Sequence, residues 1–477
     1  MIGTTITCGF NRRLETITLG FNRWVGTSIT IGFNRWTEPT TATGFNRWLI
    51  IMLMVSLGFE AYSQIPTPAE KPNKSMLILG GTAHVGDGRI VKNAAVGVKN
   101  GHFTFVENQM FQRVDTQEFD TIIRLTDEHI YPGFIAPNTT LGLREVDAVR
   151  ATRDFDDVGL FNPNVRSLVA YNTDSRIIPT IRSNGILLAQ ATPRGGLISG
   201  SSSIMQLDGW NWEDAVLKKD DGIHLNWPER FIQHGWWANP GGSDRNKKEE
   251  KQIEKIQEFF TEARAYYEGG SDRENLRFEA MKGVFDGSKR LYIHCNQARA
   301  IVRAMELKRD FDIPNVVLVG GYDAYLVPEA LTDNDVPVIY QRPHSLPHRD
   351  DDPIHLPYQI PKKLQEAGIL FCLDMSGSME AMNQRNLPFV AGTAHAYGLD
   401  KEQAIAAISG NSAKILGIDE MVGTLDAGKQ ATFFISKGDA LDMRTNKPTH
   451  AFIQGAEIDL DNPQKALYRK FKSKYEN

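Results

Sequence analysis

Hydrophobic and polar positions divide the chain into stretches of different character. Short apolar runs at 76–81, 94–98, 103–106 and 121–125 lie toward one end, and runs at 431–436 and 450–454 lie toward the other. Asn100-Gly101 is a two-residue hairpin signal, and Gly428 and Gly455 punctuate the far end. Between them, runs rich in β-branched residues recur at 129–135, 185–191, 203–207, 291–295, 316–319, 336–340 and 369–373. From Leu291 onward each is followed by a helical pattern, at 298–308, 322–331, 361–367 and 387–396. Strands apolar on both faces that alternate with helices predict a parallel sheet covered by helices. That is an α/β barrel or a doubly wound sheet, with β-structure at both ends. Residues 245–268 read as a charged amphipathic helix on the outside.

The first 63 residues read differently. Gly-Phe-Asn-Arg-Trp stands at 20–24, 32–36 and 44–48, with a variant at 9–13, far shorter than the ~20–50-residue period of solenoids. These are either aromatic and arginine anchors at a membrane interface or translated repeat DNA ahead of a misplaced start. Arg47, the apolar run 48–59 and Ala61-Tyr62-Ser63 then follow the anatomy of a secretory signal, with cleavage before Gln64. The expected division is a leader at 1–63, a linker at 64–75, a composite β-domain from 76–129 and 418–477, and a central domain at 130–417. Localisation is expected to be periplasmic or extracellular.

Composition narrows the partners. The 477 residues carry 53 Lys and Arg against 58 Asp and Glu, a net charge of −5 without a basic block. Nucleic acid is therefore not an expected partner. No apolar run reaches the ~20 residues of a membrane span. Three cysteines, Cys8, Cys295 and Cys372, cannot make a disulfide framework.

Several segments resemble the amidohydrolase superfamily, closest to its imidazolonepropionase-like members. Ile130-Tyr131-Pro132-Gly133-Phe134-Ile135 looks like the end of its first barrel strand, and Tyr292-Ile293-His294 like its fifth. Arg385-Asn386-Leu387-Pro388-Phe389, the stretch 411–417 (Asn-Ser-Ala-Lys-Ile-Leu-Gly) and the stretch 422–429 (Val-Gly-Thr-Leu-Asp-Ala-Gly-Lys) resemble the passage from the last barrel strand into a C-terminal β-domain. The resemblance implies a TIM-type (β/α)8 barrel with a small β-sandwich built from both ends of the mature chain. It also implies hydrolysis of non-peptide carbon–nitrogen bonds in a small-molecule amide or cyclic amide, with zinc or another divalent metal as cofactor.

Such a metal needs at least three protein ligands and an open position. Where the superfamily carries Asp-x-His-x-His, this chain reads Ala136-Pro137-Asn138-Thr139-Thr140, and the sixth strand ends in Gly320-Gly321 without a histidine. His294 matches the fifth-strand ligand. Asp374 ends the eighth strand, although strict register places Ser376 at the acid's position. The candidate site is thus His294 as metal ligand, Asp374 as catalytic acid, and Asn138, Thr140, Arg194, Arg342 and His344 as substrate contacts. A replacement site could draw on His344, His348, Asp350, Asp351, Asp352 and His355, with Arg342 and Arg349 as an anion clamp; the alternative is a solvated loop. The glycines and hydroxyls of 192–203 could offer an oxyanion cradle or form a plain loop. Trp210, Trp212, Trp227, Trp236 and Trp237 wall a pocket or pack a core, and Cys295 and Cys372 are expected as buried thiols. Two functions stay open. One is an exported hydrolase with an atypical metal site. The other is a catalytically inactive barrel, a pseudoenzyme, that acts as a binding protein or as the structural partner of an active amidohydrolase, in an oligomer with itself or with that relative.

Overall fold

A computed structural model describes residues 16–18, 30–32, 67–70, 72, 74–111, 114–236, 239–269, 273–377 and 380–476. The chain divides into two units, Met1–Ile65 and Pro66–Asn477. In the first, Thr16–Thr18 pairs antiparallel with Thr30–Gly32. The apolar run at 48–59 and, apart from Gly32, the pentapeptide repeats lie outside the described residues.

The second unit is a mixed α/β fold around an eight-stranded, nearly closed barrel-like sheet. Its strands are β1 (Phe134–Thr139), β2 (Ile186–Ala191), β3 (Ile198–Gln206), β4 (Val216–Asn226), β5 (Arg290–Cys295), β6 (Val316–Gly320), β7 (Val338–Gln341) and β8 (Phe371–Asp374), in that spatial order. Strands β4 to β8 are parallel, as are β1 and β2. Strand β3 runs against both its neighbours, so the all-parallel arrangement expected from the resemblance is corrected there. The connections 192–197 and 207–215 are too short for the crossover of a dozen or more residues that a parallel pair needs. The edges β1 and β8 are bridged by main chain between them: Leu373 N donates to Ala407 O at 3.0 Å and Ile135 N to Ile408 O at 2.9 Å.

Strand alternation explains how this sheet is buried on both faces. Ile135, Leu188, Ile204, Val317, Ile339 and Cys372 join one apolar cluster, closed by Ala413, Ile415 and Leu416 of the helix Gly410–Leu416. The alternate residues, such as Leu187, Ala189, Leu291, Ile293 and Leu318, join the larger cluster that also holds residues of the surrounding helices. Helix Glu249–Gly269, expected as an outer amphipathic helix, seats Ile253, Ile256 and Phe260 there.

Two further sheets come from both ends of this unit. One has six strands in the order Ala456–Glu457, Pro448–Ile453, Phe433–Ser436, His129–Pro132, Thr82–His84 and Ile90–Lys92. The other has four, in the order His102–Asn108, Ala94–Lys99, Met76–Leu79 and Thr121–Arg124. Ile78, Val96 and Val98 of the second share an apolar core with Ile130, Phe433 and Phe452 of the first. The single run read at 129–135 is two strands in two sheets, broken at Gly133. Phe434 ties them together: its ring lies 5.3 Å from Tyr131 on one side of the break and 5.0 Å from Phe134 on the other. Gly185 must stay small here, since a Cβ would sit 2.5 Å from the Phe434 ring. Phe434→Ala should therefore cost about 3–5 kcal/mol, read as a lowered urea midpoint.

Candidate functional site

The strand ends of β1, β2, β7 and β8 converge on one polar network. Strand β1 carries a register shift between Ala136 and Thr139, and Asn138 inside it adopts a left-handed backbone (φ 48°). A bulge of this kind re-aims a side chain. Here the Asn138 amide donates to Asp374 Oδ2 at 2.8 Å and Ser376 Oγ at 2.9 Å. Its carbonyl oxygen accepts from Arg194 Nη1 at 2.9 Å, and its main-chain oxygen accepts from Arg194 Nη2 at 2.7 Å. The same guanidinium reaches Glu380 Oε1 at 3.1 Å. Glu380 is buried and also accepts from the Thr140 N–H at 3.1 Å and the Gly377 N–H at 2.8 Å.

Asp374 is wholly buried. Its Oδ1 accepts from Ser376 N at 2.7 Å, and the Ser376 hydroxyl also bonds to Oδ2. Gln341, beside Asp374 in the β7–β8 ladder, donates to Ser376 Oγ at 2.8 Å. Burial pushes the Asp374 carboxyl up to about 7, although Ser376 and Asn138 oppose the shift. Both residues competing for the acid's register position therefore occupy one network.

A second cluster lies on β4 and β5. His224 Nδ1 and His294 Nε2 are 2.8 Å apart, and the His224 ring stacks on Tyr292 at 4.6 Å. Burial and the charge of Arg194 push His294 down to about 3. Burial, His294 and Arg194 push His224 well below the usual imidazole range. Both rings are therefore neutral at physiological pH. Tyr292 donates to the buried Asp221 at 2.6 Å, and Ser202 and Gln190 donate to the same carboxyl at 2.8 and 2.9 Å. Gln190 joins the clusters, because its Oε1 accepts from Asn138 N at 3.0 Å. Gly222 makes room for this packing: a Cβ there would meet the Tyr292 ring at 2.3 Å.

The structure thus brings together Asn138, Thr140, Arg194 and Asp374, with His294 in the adjoining cluster. Arg342 lies at the edge, where its N–H donates to Asp374 O at 2.8 Å. His344 is bonded to Thr393 Oγ1 at 2.7 Å instead. The other histidines of its loop also go separate ways: His348 stacks on Tyr322 at 3.8 Å, and His355 Nδ1 lies 3.2 Å from Tyr397 OH. Arg349 clamps Asp323 at 2.8 Å and Asp352 at 3.1 Å. Among the described residues, no three His, Cys, Asp or Glu side chains are grouped to hold a metal ion. Of the stretch 192–203, residues 192–197 lead into β3 and 198–203 are part of it; Trp227 is core, and Trp210 is exposed. Trp237 and the side chain of Trp236 lie outside what is described. Cys295 and Cys372 are buried, and burial pushes both thiols up. A cavity of about 220 Å³ opens at the opposite end of the barrel, lined by Arg290, Val316, Val336, Ile369 and Lys414.

Five site residues escaped the sequence reading, among them Gln341, one place beyond the apolar run 336–340. His224 and Asp221 sit on β4, where Lys218-Lys219-Asp220-Asp221 interrupts the apolar pattern. Gln190 hides inside an apolar run, and no motif announces Glu380.

The model of the Amidohydrolase family matches residues 359–460. Among solved structures, an amidohydrolase from Thermotoga maritima MSB8 superposes with a TM-score of 0.67 at 21% identity, covering 80% of this chain and 99% of that one. A Xaa-Pro dipeptidase with bound methionine gives 0.48 at 13%, covering 81% and 100%. Molinate hydrolase gives 0.46 at 15%, covering 82% and 95%. No curated protein matches the chain. The resemblance to the amidohydrolase superfamily holds in both the family match and the fold.

Asp374 yields a pH prediction. An acid whose folded pKa of about 7 exceeds its unfolded value of 3.8 holds its proton more tightly in the native state. Its contribution to stability is complete below pH 4 and is lost as pH rises to 7. Asp374→Asn removes that slope, so the variant should gain on wild type by up to about 4 kcal/mol between pH 4 and 7, on top of any constant offset. Urea midpoints of both proteins across that range provide the check.

Proposed function

We propose that this chain, with the amidohydrolase resemblance in its fold and its C-terminal sequence, is an exported barrel that binds a small-molecule amide or cyclic amide and has lost the superfamily's metal. Of the two functions open from the sequence, the mouth chemistry favours the catalytically inactive barrel, acting as a binding protein or as structural partner of an active amidohydrolase.

One observation carries this reading. The guanidinium of Arg194 is bonded to Asn138, the residue standing at the first histidine position of the superfamily motif. The guanidinium also takes the main-chain oxygen of Asn138, so both oxygens at that position are already committed to a cation of the chain itself. The donor chemistry weighs the same way. An amide and a hydroxyl are weak partners for zinc, and Asp374 already accepts three hydrogen bonds from Asn138 and Ser376. The residues present do not fit the metal, so no step is routed through one. Arg194 instead offers a fixed donor to the carbonyl oxygen of an amide, with Glu380 and Asn138 holding its orientation.

The hydrolase reading, an atypical enzyme acting on non-peptide carbon–nitrogen bonds, rests on a different observation. Buried Asp374, pushed up to about 7, lies in the range where a general acid or base works best near neutral pH.

The finer architecture belongs to the same proposal. The two sheets that share a core correspond to the small β-sandwich implied by the superfamily, with 76–129 and 418–477 around a barrel of 130–417. The signal-like stretch 47–63 supports export to the periplasm or beyond.

The deciding experiment expresses the full chain and measures bound metal, turnover on N-acyl and cyclic-amide substrates, and thermal shifts with the same compounds. The expected result is metal well below one per chain, no turnover, and a stabilising shift that Arg194→Met abolishes. Stoichiometric zinc lost in His294→Ala, together with turnover, would establish the hydrolase reading instead. Sequencing of the secreted product should start near Gln64.

A further inference from the structure

The helix Pro463–Ser473 is anchored at its start. The Asn462 side chain caps Lys465 N at 2.8 Å and donates to Ser183 Oγ at 3.0 Å, and Gln464 Oε1 accepts from Thr180 Oγ1 at 2.7 Å. No residue within the helix is buried. Yet it is not polar all round. Leu467, Tyr468, Phe471 and, one turn on, Tyr475 are between 53% and 78% exposed. At 3.6 residues per turn these four fall within an arc of about 100°. On the same projection Lys470 and Lys474 border one side of the arc, and Lys472 and Lys465 border the other. Residues 463–475 contain five Lys and Arg and no Asp or Glu, in a chain of net charge −5.

We propose that this helix docks the protein on an anionic lipid surface, lying in the interface with its apolar stripe inserted and its lysines against the headgroups. An exposed apolar arc edged by cations is the composition of an interfacial helix, and Tyr and Phe suit the headgroup level. Lys470 and Lys474 carry the charge that acts outward, since Lys465 donates to Leu460 O at 2.8 Å and the other two cations are ion-paired. Arg469 pairs with Asp461 at 2.5 Å and Lys472 with Glu476 at 3.1 Å. Lys470 and Lys474 lie over the rings of Phe471 and Tyr475, at 5.9 and 5.4 Å from their centroids, on the stripe itself. A second copy is the less fitting occupant. Four such side chains present on the order of 500 Å², below the ~800 Å² per partner of a stable protein interface, and two stripes edged by lysines would repel. Docking of this kind needs no membrane-crossing helix, and among the described residues none is long and apolar enough to cross.

The test is co-sedimentation of the full chain with vesicles of phosphatidylcholine alone or with 30 mol% phosphatidylglycerol (about one anionic lipid in three). Binding is expected only on the anionic vesicles, and at least about tenfold weaker in 0.5 M salt. The same loss is expected in the double variant Leu467→Ser and Phe471→Ser, and in Lys470→Glu with Lys474→Glu. These substitutions are on an exposed helix and should leave the thermal midpoint unchanged. Absence of binding to anionic vesicles would overturn the proposal, as would equal binding to neutral ones. So would concentration-dependent dimerisation in sedimentation velocity that the serine variant abolishes, which would assign the stripe to a second copy.

Discussion

The guanidinium of Arg194 sits where four barrel strands end, and a charge in that position must be balanced by its surroundings. Glu380 supplies the counter-charge, itself buried and steadied by the N–H groups of Thr140 and Gly377. Asn138 supplies two oxygens, which requires the bulge in β1 and a left-handed backbone at that residue. Removing Arg194 would leave the buried Glu380 carboxylate without its counter-charge, which is destabilising. The network is therefore a constraint on all its members together. It also ties β1 to β8 through Asn138 and Asp374, at the seam where the sheet lacks a direct ladder and relies on Ala407 and Ile408.

This arrangement gives the missing histidines of the first strand a physical meaning. Asn138 and Thr140 are not empty places in a motif. An amide presents a donor and an acceptor on one planar group, so Asn138 can donate to the carboxyl of Asp374 with one end and accept from the guanidinium of Arg194 with the other. A histidine in the neutral form could serve both only through nitrogens pointing in different directions. Given Arg194, an amide at 138 satisfies both neighbours where an imidazole would strand one.

Sequence pattern reached the elements whose apolar run is unbroken: β2, β5, β6, β7 and β8, and the strands at both ends of the unit. It failed where local rules and tertiary context disagree. Strand β4 contains four consecutive charged residues, 218–221, because its first half is a partly exposed hairpin arm and only its second half enters the barrel. The reversal of β3 follows from short connections rather than from side-chain pattern. Among site residues, Asn138, His294 and Asp374 were reachable because the superfamily motif marks their positions, and Arg194 because it stands in the glycine-rich stretch 192–203. Gln190, Asp221 and His224 were not, since a buried polar residue inside an apolar strand leaves no periodic trace. The loop at 342–355 looked richest in chemistry and was resolved differently, since each of its histidines finds a separate partner among Thr393, Tyr322 and Tyr397.

The same self-satisfaction extends around the rim. The helix Ala298–Asp310 begins just after β5 with its first N–H groups toward the strand ends, and the N-terminus of a helix is suited to an anion. Here two of the chain's own carboxylates take that place. Glu229 accepts from the Asn296 N–H, and Asp323 accepts from Ala298 N at 3.2 Å. Arg349 then bonds Asp323, locking the loop after β7 to the loop after β6. Burial raises the Glu229 carboxyl, and nearby Asp323 adds to the shift. A ligand anion would have to displace a carboxylate that is already bonded to the helix start. The cation at these strand ends is treated the same way: Glu380 balances the charge of Arg194, and Asn138 and Glu380 take the bonds of its terminal nitrogens.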